Sequence, residues 1–254
     1  MLRFFSLLLV FWFTAIASAS AQKVLPSKTS DVRDYMYKRE ASFGARILTN
    51  GVAVYGEYGW IKDIYKTHLL QVEYQYFIDY AQKRQQSPRE SGRDFTFGVQ
   101  NRFHALHLSY TYKRSIADKA RVKGVHLSFI AVGGFSLGLL KPYYLNLLQL
   151  GDGGPPTFEP ERYSEANSSR FLSLDSILEA APIRYGLNQM QPVPGVHAKF
   201  GLNFDWGSKD QFVKALECGA MLDLYYKRVP ILVNNSNRFY RIGLYLSFQF
   251  GKRW

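Results

Sequence analysis

The chain has 254 residues and a formal net charge of +12, from 32 Lys and Arg against 20 Asp and Glu. Its length allows one or two domains. Its single cysteine, Cys218, excludes an internal disulfide and so the disulfide-stapled class of secreted domain. A basic chain can bind nucleic acid, but no nucleic-acid motif is present.

The first residues predict export. Met1-Leu2-Arg3 gives a short positive start, Phe4 to Ile16 an apolar run, and Ala17-Ser18-Ala19-Ser20-Ala21 small residues for a peptidase. This is the layout of a signal peptide spanning 1–21 and cut after Ala21. The competing reading is an uncleaved anchor, for which the apolar run is short against the roughly 20 residues a span needs. Residues 22–39 then form a periplasmic N-terminal segment, and no cysteine follows the cut to take a lipid anchor. No later segment reads as a transmembrane helix. The best rival, Val125 to Leu150, is broken by Gly133, Gly134, Gly138, Lys141 and Pro142.

From Glu40 onward the hydrophobic pattern has period two, which predicts strands with two unlike faces. Leu70, Val72, Tyr74, Tyr76 and Ile78 alternate with Gln71, Glu73, Gln75, Phe77 and Asp79. Val196 to Trp206, Leu216 to Tyr226 and Tyr240 to Phe250 alternate in the same way. A soluble β-sandwich would turn the apolar face inward. A membrane barrel would turn it to lipid and the polar face to the lumen. Three features favour the barrel. The segments are long enough to cross a bilayer when tilted. Tyr58, Trp60, Tyr110, Tyr112, Trp206, Tyr226 and Tyr240 sit at strand ends, where an aromatic girdle lies. The chain also ends in an aromatic strand, with Phe248, Phe250 and Trp254 as a C-terminal assembly signal of the kind that barrel-assembly machinery reads in this class of protein.

Eight strands are predicted: Glu40–Leu48, Val52–Ile61, Thr67–Tyr80, Phe95–Arg114, Val122–Leu139, Gly195–Trp206, Gln211–Lys227 and Arg238–Gly251. Thr49-Asn50-Gly51 reads either as a type I′ hairpin, which suits Asn-Gly, or as a bulge in one long strand. Parity favours the hairpin, because an even count returns both chain ends to the periplasm. The same count makes Ile61–Lys66, Ser115–Arg121 and Gly207–Asp210 short periplasmic turns. It places Ala81–Asp94, Leu140–Pro194 and Arg228–Asn237, the longest connections, outside. The expected fold is thus an all-β, antiparallel, up-and-down transmembrane barrel over 40–254.

An eight-stranded barrel has an interior that side chains can fill. Its expected polar network is Arg46, Glu57, Glu73, His107, His126, Lys199, Asp205, Glu217, Asp223 and Arg241, with Lys113 on the same face. Mixed signs point to a plugged lumen of buried pairs; the sharper alternatives are a narrow conductive path or a proton site. Loop 140–194 is expected to fold over the mouth as a lid, to dock a protein partner, or to be disordered. It holds a possible amphipathic helix near Ser169–Ala180, with Phe171, Leu174 and Leu178 on one side.

Enzymatic readings are weak. None of His68, His104, His107, His126 and His197 falls in a predicted outer loop. No His/Cys cluster has metal-ligand spacing, no Gly-rich phosphate loop follows a strand, and no cofactor, metal or catalytic residue is expected. A lipid-modifying enzyme remains the third reading. Gly133-Gly134 reads as strand curvature or close packing. Asn167-Ser168-Ser169 matches an N-glycosylation sequon and Asp175-Ser176-Ile177 an O-glycosylation pattern, both weak signals. The basic residues outside the strands, among them Lys38, Arg228, Lys252 and Arg253, suit anionic headgroups and lipopolysaccharide phosphates.

Several segments carry a family resemblance: Thr49 to Gly51, Gly134 to Pro142, Pro194 to Gly201, Lys214 to Glu217 and Leu246 to Trp254. They resemble those of uncharacterised outer-membrane β-barrel proteins of Bacteroidota, over roughly Glu40 to Trp254. The resemblance implies location and fold, and no activity. By analogy alone it suggests an accessory barrel of a secretion, uptake or barrel-assembly complex.

Overall fold

The structure, a computed structural model, describes residues 37–63, 65–78, 82–86, 92–117, 124–149, 157–207, 211–233 and 237–254. The expected signal peptide, nearly all of segment 22–39 and the turn-rich stretch Gly151–Pro156 lie outside the described residues.

Alternating segments cannot bury both faces, and each strand leaves backbone groups that need a neighbour on either edge. Here eight strands meet that demand by closing on themselves. In chain order the strands are β1 (Arg39–Leu48), β2 (Gly51–Asp63), β3 (Lys66–Phe77), β4 (Lys83–Gln85), β5 (Phe95–Phe97), β6 (Asn101–Ala117), β7 (His126–Pro142), β8 (Tyr144–Gln149), β9 (Thr157–Arg162), β10 (Ile177–Ala180), β11 (Gln191–Asp205), β12 (Phe212–Tyr225) and β13 (Tyr240–Arg253). The barrel runs β1-β2-β3-β6-β7-β11-β12-β13 and returns to β1. Every pair is antiparallel, and β1 closes on β13 from Glu40 opposite Arg253 to Leu48 opposite Tyr245. The connections sort as parity requires. The short ones share one end with the chain's C-terminus. The Thr49-Asn50 turn and the three long ones share the other.

The polarity is inside out. Along β1 the buried residues include Glu40, Ser42 and Arg46, while Phe43 and Ile47 are 66% and 60% exposed. Along β13 Ser247 and Gln249 are buried, while Ile242 and Leu244 are 69% and 63% exposed. From Ile242 to Phe250 the outward residues cover about 27 Å of strand, or about 21 Å of barrel height at a tilt of about 40°. At the terminal end Trp60 packs edge-on against Tyr58, with ring centroids 5.7 Å apart, and Tyr58 lies 6.3 Å from Trp254. Tyr226, Phe239 and Tyr240 ring the loop end beside β12 and β13.

The structure corrects several sequence expectations. Phe95–Arg114 is not one strand. Gly98 turns to φ +71° and breaks the run, so β5 leaves to pair with β4 and the barrel strand starts at Asn101. Thr49–Gly51 is a hairpin, with Leu48 paired to Gly51. It is not type I′, because neither Thr49 nor Asn50 has positive φ. Gly51 alone does, at +152°, and a Cβ there would fall 2.1 Å from the Tyr76 carbonyl oxygen. Of the glycine pair, Gly134 is the close-packing residue: a Cβ would lie 2.2 Å from the Leu108 carbonyl oxygen, whereas Gly133 faces open space. The helix over Ser169–Ala180 does not form. Only α1 (Ser168–Phe171) is helical; a single 3-10 turn follows at Leu174–Ser176, and Ile177–Ala180 becomes β10. The two serines flanking Leu174-Asp175 compete for backbone hydrogen bonds, and Ile177 gains a strand partner in Leu147. Arg253, assigned by sequence to the exterior, is in β13 and points inward.

Candidate functional site

Two features of the barrel are candidates for function: a lumen filled with charged side chains, and a cap of loop residues over one mouth.

The lumen is built by the inward half of each strand's alternation, which places polar residues of facing strands at common heights. At the terminal end Arg253 bridges Glu40 at 2.8 Å and Asp205 at 3.1 Å, and Lys113 also reaches Glu40 at 3.5 Å. His126 is the cross-strand neighbour of Asp205 in this layer. Above it, the Glu57 carboxylate accepts from Gln71 at 2.5 Å, Gln249 at 2.8 Å and Ser42 at 3.2 Å. Asn203 donates to Gln249 at 3.1 Å.

Arg46 occupies the middle. Its guanidinium pairs with Glu73 and, at 3.3 Å, with Glu217. It is also stacked between the rings of Tyr55 and Tyr245, at 4.4 and 4.6 Å. The Tyr245 hydroxyl donates to Glu217 at 2.7 Å, and Lys199 pairs with Glu73 at 2.6 Å. These charges are fully removed from solvent, so each depends on its partners: a buried ion pair is tolerated only when well hydrogen-bonded.

Next toward the loop end, His107 and His197 meet edge to face at 4.5 Å. Ser136 bonds the Nδ1 of both, at 2.7 and 3.1 Å; Ser109 bonds His197 Nε2 at 2.8 Å, and Gln75 lies 3.2 Å from His107 Nε2. Asp223, also fully buried, has no hydrogen-bond donor on either carboxylate oxygen among the described residues. Its cross-strand neighbours are His197 and Arg241, and the Arg241 guanidinium lies over Phe77 and Phe103 at 5.1 and 5.4 Å.

All ten residues that the alternation assigned to the lumen therefore lie on its inner face. The expected network left out Gln71, Tyr245 and Gln249, although the alternation puts them on the polar face, and it did not include Glu40, Tyr55 or Arg253. Tyr and Gln carry no formal charge, and Arg253 sits in a basic C-terminal run that looks solvated. The parity of β13, carried three residues past Phe250, was the available signal.

The cap closes the loop end. Strands β8, β9 and β10 form a small sheet in the order β10-β8-β9. Leu145 and Leu147 of β8, Phe171 of α1 and Ile177 of β10 are all buried in one apolar cluster with Phe77, Phe95 and Phe103. Val229, Ile231 and Leu232 from the β12–β13 connection complete it. The β4–β5 connection is tied to the cap through Glu179, which accepts from the backbone N–H of Arg93 at 2.9 Å and from its guanidinium at 3.1 Å. These bonds hold the Glu179 carboxyl below its ordinary value. Burial raises the Glu161 carboxyl, but hydrogen bonds from Asn167 and Gln149 outweigh that and leave it lowered. The sequon asparagine Asn167 is itself buried, with its amide nitrogen committed to Glu161 and the Arg162 carbonyl. Ser176 of the second glycosylation pattern is partly exposed. Among the described residues no group of three or more His, Cys, Asp or Glu is placed to hold a metal.

These features define a closed eight-stranded antiparallel barrel with an apolar exterior, a polar filled interior and one capped mouth. No protein-family profile and no curated protein matches the sequence. Among solved structures the chain is similar to Neisserial surface protein A at 11% identity, covering 86% of this chain and 97% of that one with a TM-score of 0.40. It is similar to Ail of Yersinia pestis, solved with the heparin analogue sucrose octasulfate, at 8% identity, 85% and 97% coverage and a TM-score of 0.39. The N-terminal β-barrel domain of Pseudomonas aeruginosa OprF aligns at 10% identity, 84% and 98% coverage and a TM-score of 0.32.

Proposed function

We propose that this protein is a non-enzymatic integral β-barrel of a bacterial outer membrane with a structural or accessory role, exported by residues 1–21. One observation carries the reading: the apolar face of nearly every barrel strand is exposed and the charged face is buried. A soluble sandwich has the reverse arrangement, and an exposed apolar surface that encircles the molecule is stable only in lipid. The short connections and the C-terminus then face the periplasm and the capped mouth faces outward. Phe248, Phe250 and Trp254, each nearly half exposed on the closing strand, serve as the signal to the barrel-assembly machinery. The membrane partners are outer-leaflet lipid and lipopolysaccharide. The cap of loop 140–194 presents a surface to a protein partner, as an accessory subunit of a secretion, uptake or barrel-assembly complex; the resemblance to barrels of Bacteroidota belongs to the same reading.

Packing weighs against the narrow channel, since Arg46 and its two tyrosines fill the mid-lumen and an apolar cluster stands over it. The serine–histidine contacts that an esterase would need occur at His107, Ser136 and His197, enclosed in the lumen away from any lipid.

The test is fractionation with surface proteolysis of intact cells carrying a tag between Gly151 and Pro156. Outer-membrane recovery with a cleaved tag is the expected result. A soluble periplasmic protein would overturn the reading. Co-purification after mild detergent extraction tests the accessory role, and repeated recovery as a lone monomer would count against it.

A further inference from the structure

On the outer wall of the capped end, Arg102 of β6 and Lys141 of β7 are directly opposite each other on the outward face. Like charges at facing positions repel and cost stability, and neither has a carboxylate partner among the described residues. The Arg102 guanidinium carbon lies 4.9 Å from the Tyr143 ring centroid, and among the described residues its N–H groups make no side-chain hydrogen bond. Lys141 is only 6% exposed, because the segment after β10 crosses over it. Its ammonium donates to the Ile183 carbonyl. An ammonium has three donors, and among the described residues this one has a single acceptor and no counter-charge.

The crossing segment adds a third cation beside an apolar foot. Arg184 is exposed and rests over Tyr185 at 5.6 Å, while Ile183 is 75% and Leu187 48% exposed. Tyr185 packs 5.9 Å from Tyr144, and Gly186, at φ +82°, brings the chain against the Pro142 carbonyl. Glu179, on the strand leading into this segment, is already held by Arg93 and Asn146. Below Arg102 and Lys141 lie Tyr74, stacked on His104, and Tyr76, tilted against it, on the outer face, and then the apolar belt. From Leu137 in that belt to Lys141 is four residues, roughly 10 Å of barrel height, which is the depth of a lipid headgroup.

We propose that Arg102, Lys141 and Arg184 form a binding site for the phosphate of an anionic outer-leaflet glycolipid, with Ile183 and Leu187 against its acyl chains. This deepens the outer-membrane reading and rests on it. A phosphate supplies the counter-charge that Lys141 lacks and relieves the repulsion across β6 and β7, while the exposed apolar pair explains why the ligand is a lipid and not a free anion.

The test is native mass spectrometry of the full chain in detergent, titrated with bisphosphorylated lipid A, with dephosphorylated lipid A and with inorganic phosphate. Wild type is expected to hold the bisphosphorylated form at least about tenfold more tightly than the dephosphorylated one, since charged hydrogen bonds of this kind are each worth roughly tenfold. Arg102→Gln with Arg184→Gln should remove most of that preference, and Lys141→Gln part of it. A control pair on the β12–β13 connection, Arg228→Gln with Arg238→Gln, should keep it. Equal binding of both lipids by wild type, or equal loss in the control, overturns the proposal. Binding of inorganic phosphate as tight as that of the lipid overturns the lipid assignment. Recovery of the protein from the soluble fraction would sink the outer-membrane reading itself; recovery from the membrane with no phosphate preference sinks this site alone.

Discussion

Arg46→Met removes the central cation of the lumen and leaves a chain of similar length between Tyr55 and Tyr245. Arg46 holds two carboxylates, Glu73 and Glu217, and stacks between two rings at 4.4 and 4.6 Å. Glu73 keeps a cation after the change, because Lys199 is 2.6 Å away. Glu217 does not, and among the described residues retains only the Tyr245 hydroxyl at 2.7 Å. Breaking a buried pair from one side costs about 3–5 kcal/mol, and loss of a desolvated cation–π contact adds about 2 kcal/mol or more. The stranded Glu217 charge accounts for roughly 1–3 kcal/mol of this total. Adding Glu217→Gln should therefore return about that amount, while Glu217→Gln alone should itself destabilise. The assay is equilibrium urea unfolding of the barrel refolded into lipid vesicles, followed by tryptophan fluorescence, with the three variants read as a double-mutant cycle. If Arg46→Met falls within about 0.5 kcal/mol of wild type, the range of an inconsequential surface change, the lumen is hydrated and the buried-pair argument fails. If the single loss is large but Glu217→Gln restores nothing, Glu217 is not the group that Arg46 neutralises.

In the same assay Gly134→Ala should destabilise by roughly 1–3 kcal/mol, because its Cβ would lie 2.2 Å from the Leu108 carbonyl oxygen; Gly133→Ala, which meets nothing within 4 Å, should be close to neutral. The cap should loosen in acid. The Glu179 carboxyl is lowered in the folded protein by its bonds from Arg93, so its contribution is present above the ordinary carboxylate value of 4.5 and is lost as pH falls through the lower folded value. Hydrogen exchange of β10 amides should therefore accelerate as pH falls below the ordinary carboxylate value of 4.5, and Glu179→Gln should abolish that dependence; an unchanged pH profile in the variant would refute the latch. Planar-bilayer recordings of the reconstituted protein should show no steady conductance. A stable open channel would refute the filled-lumen reading.

Sequence alone determined which face of each strand is which, because side chains alternate with a strict period of two and a lumen and a lipid phase demand opposite residues. That rule placed Arg46, Glu73, Lys199 and Asp223 inside before any strand was paired, and parity made the Thr49-Asn50 connection a turn. It also found the outward aromatics at the strand ends. What it could not decide were contacts between residues far apart in the chain. The union of Arg46 with Glu217, the role of Arg253 between Glu40 and Asp205, and the three-way contact of His107, Ser136 and His197 depend on inter-strand stagger, which alternation does not encode. The cap was equally illegible. Ser169–Ala180 has the spacing of a helix, but Ile177 becomes a strand residue because β8 offers it Leu147, and Phe171 is buried because Tyr163 and the barrel's upper rim meet it there. The facing of Arg102 and Lys141, with the Ile183 carbonyl over the Lys141 ammonium, exists only once β6, β7 and a segment some forty residues further on are brought together. Local pattern fixes the face a residue shows; register and loop packing, which are global, fix what it meets.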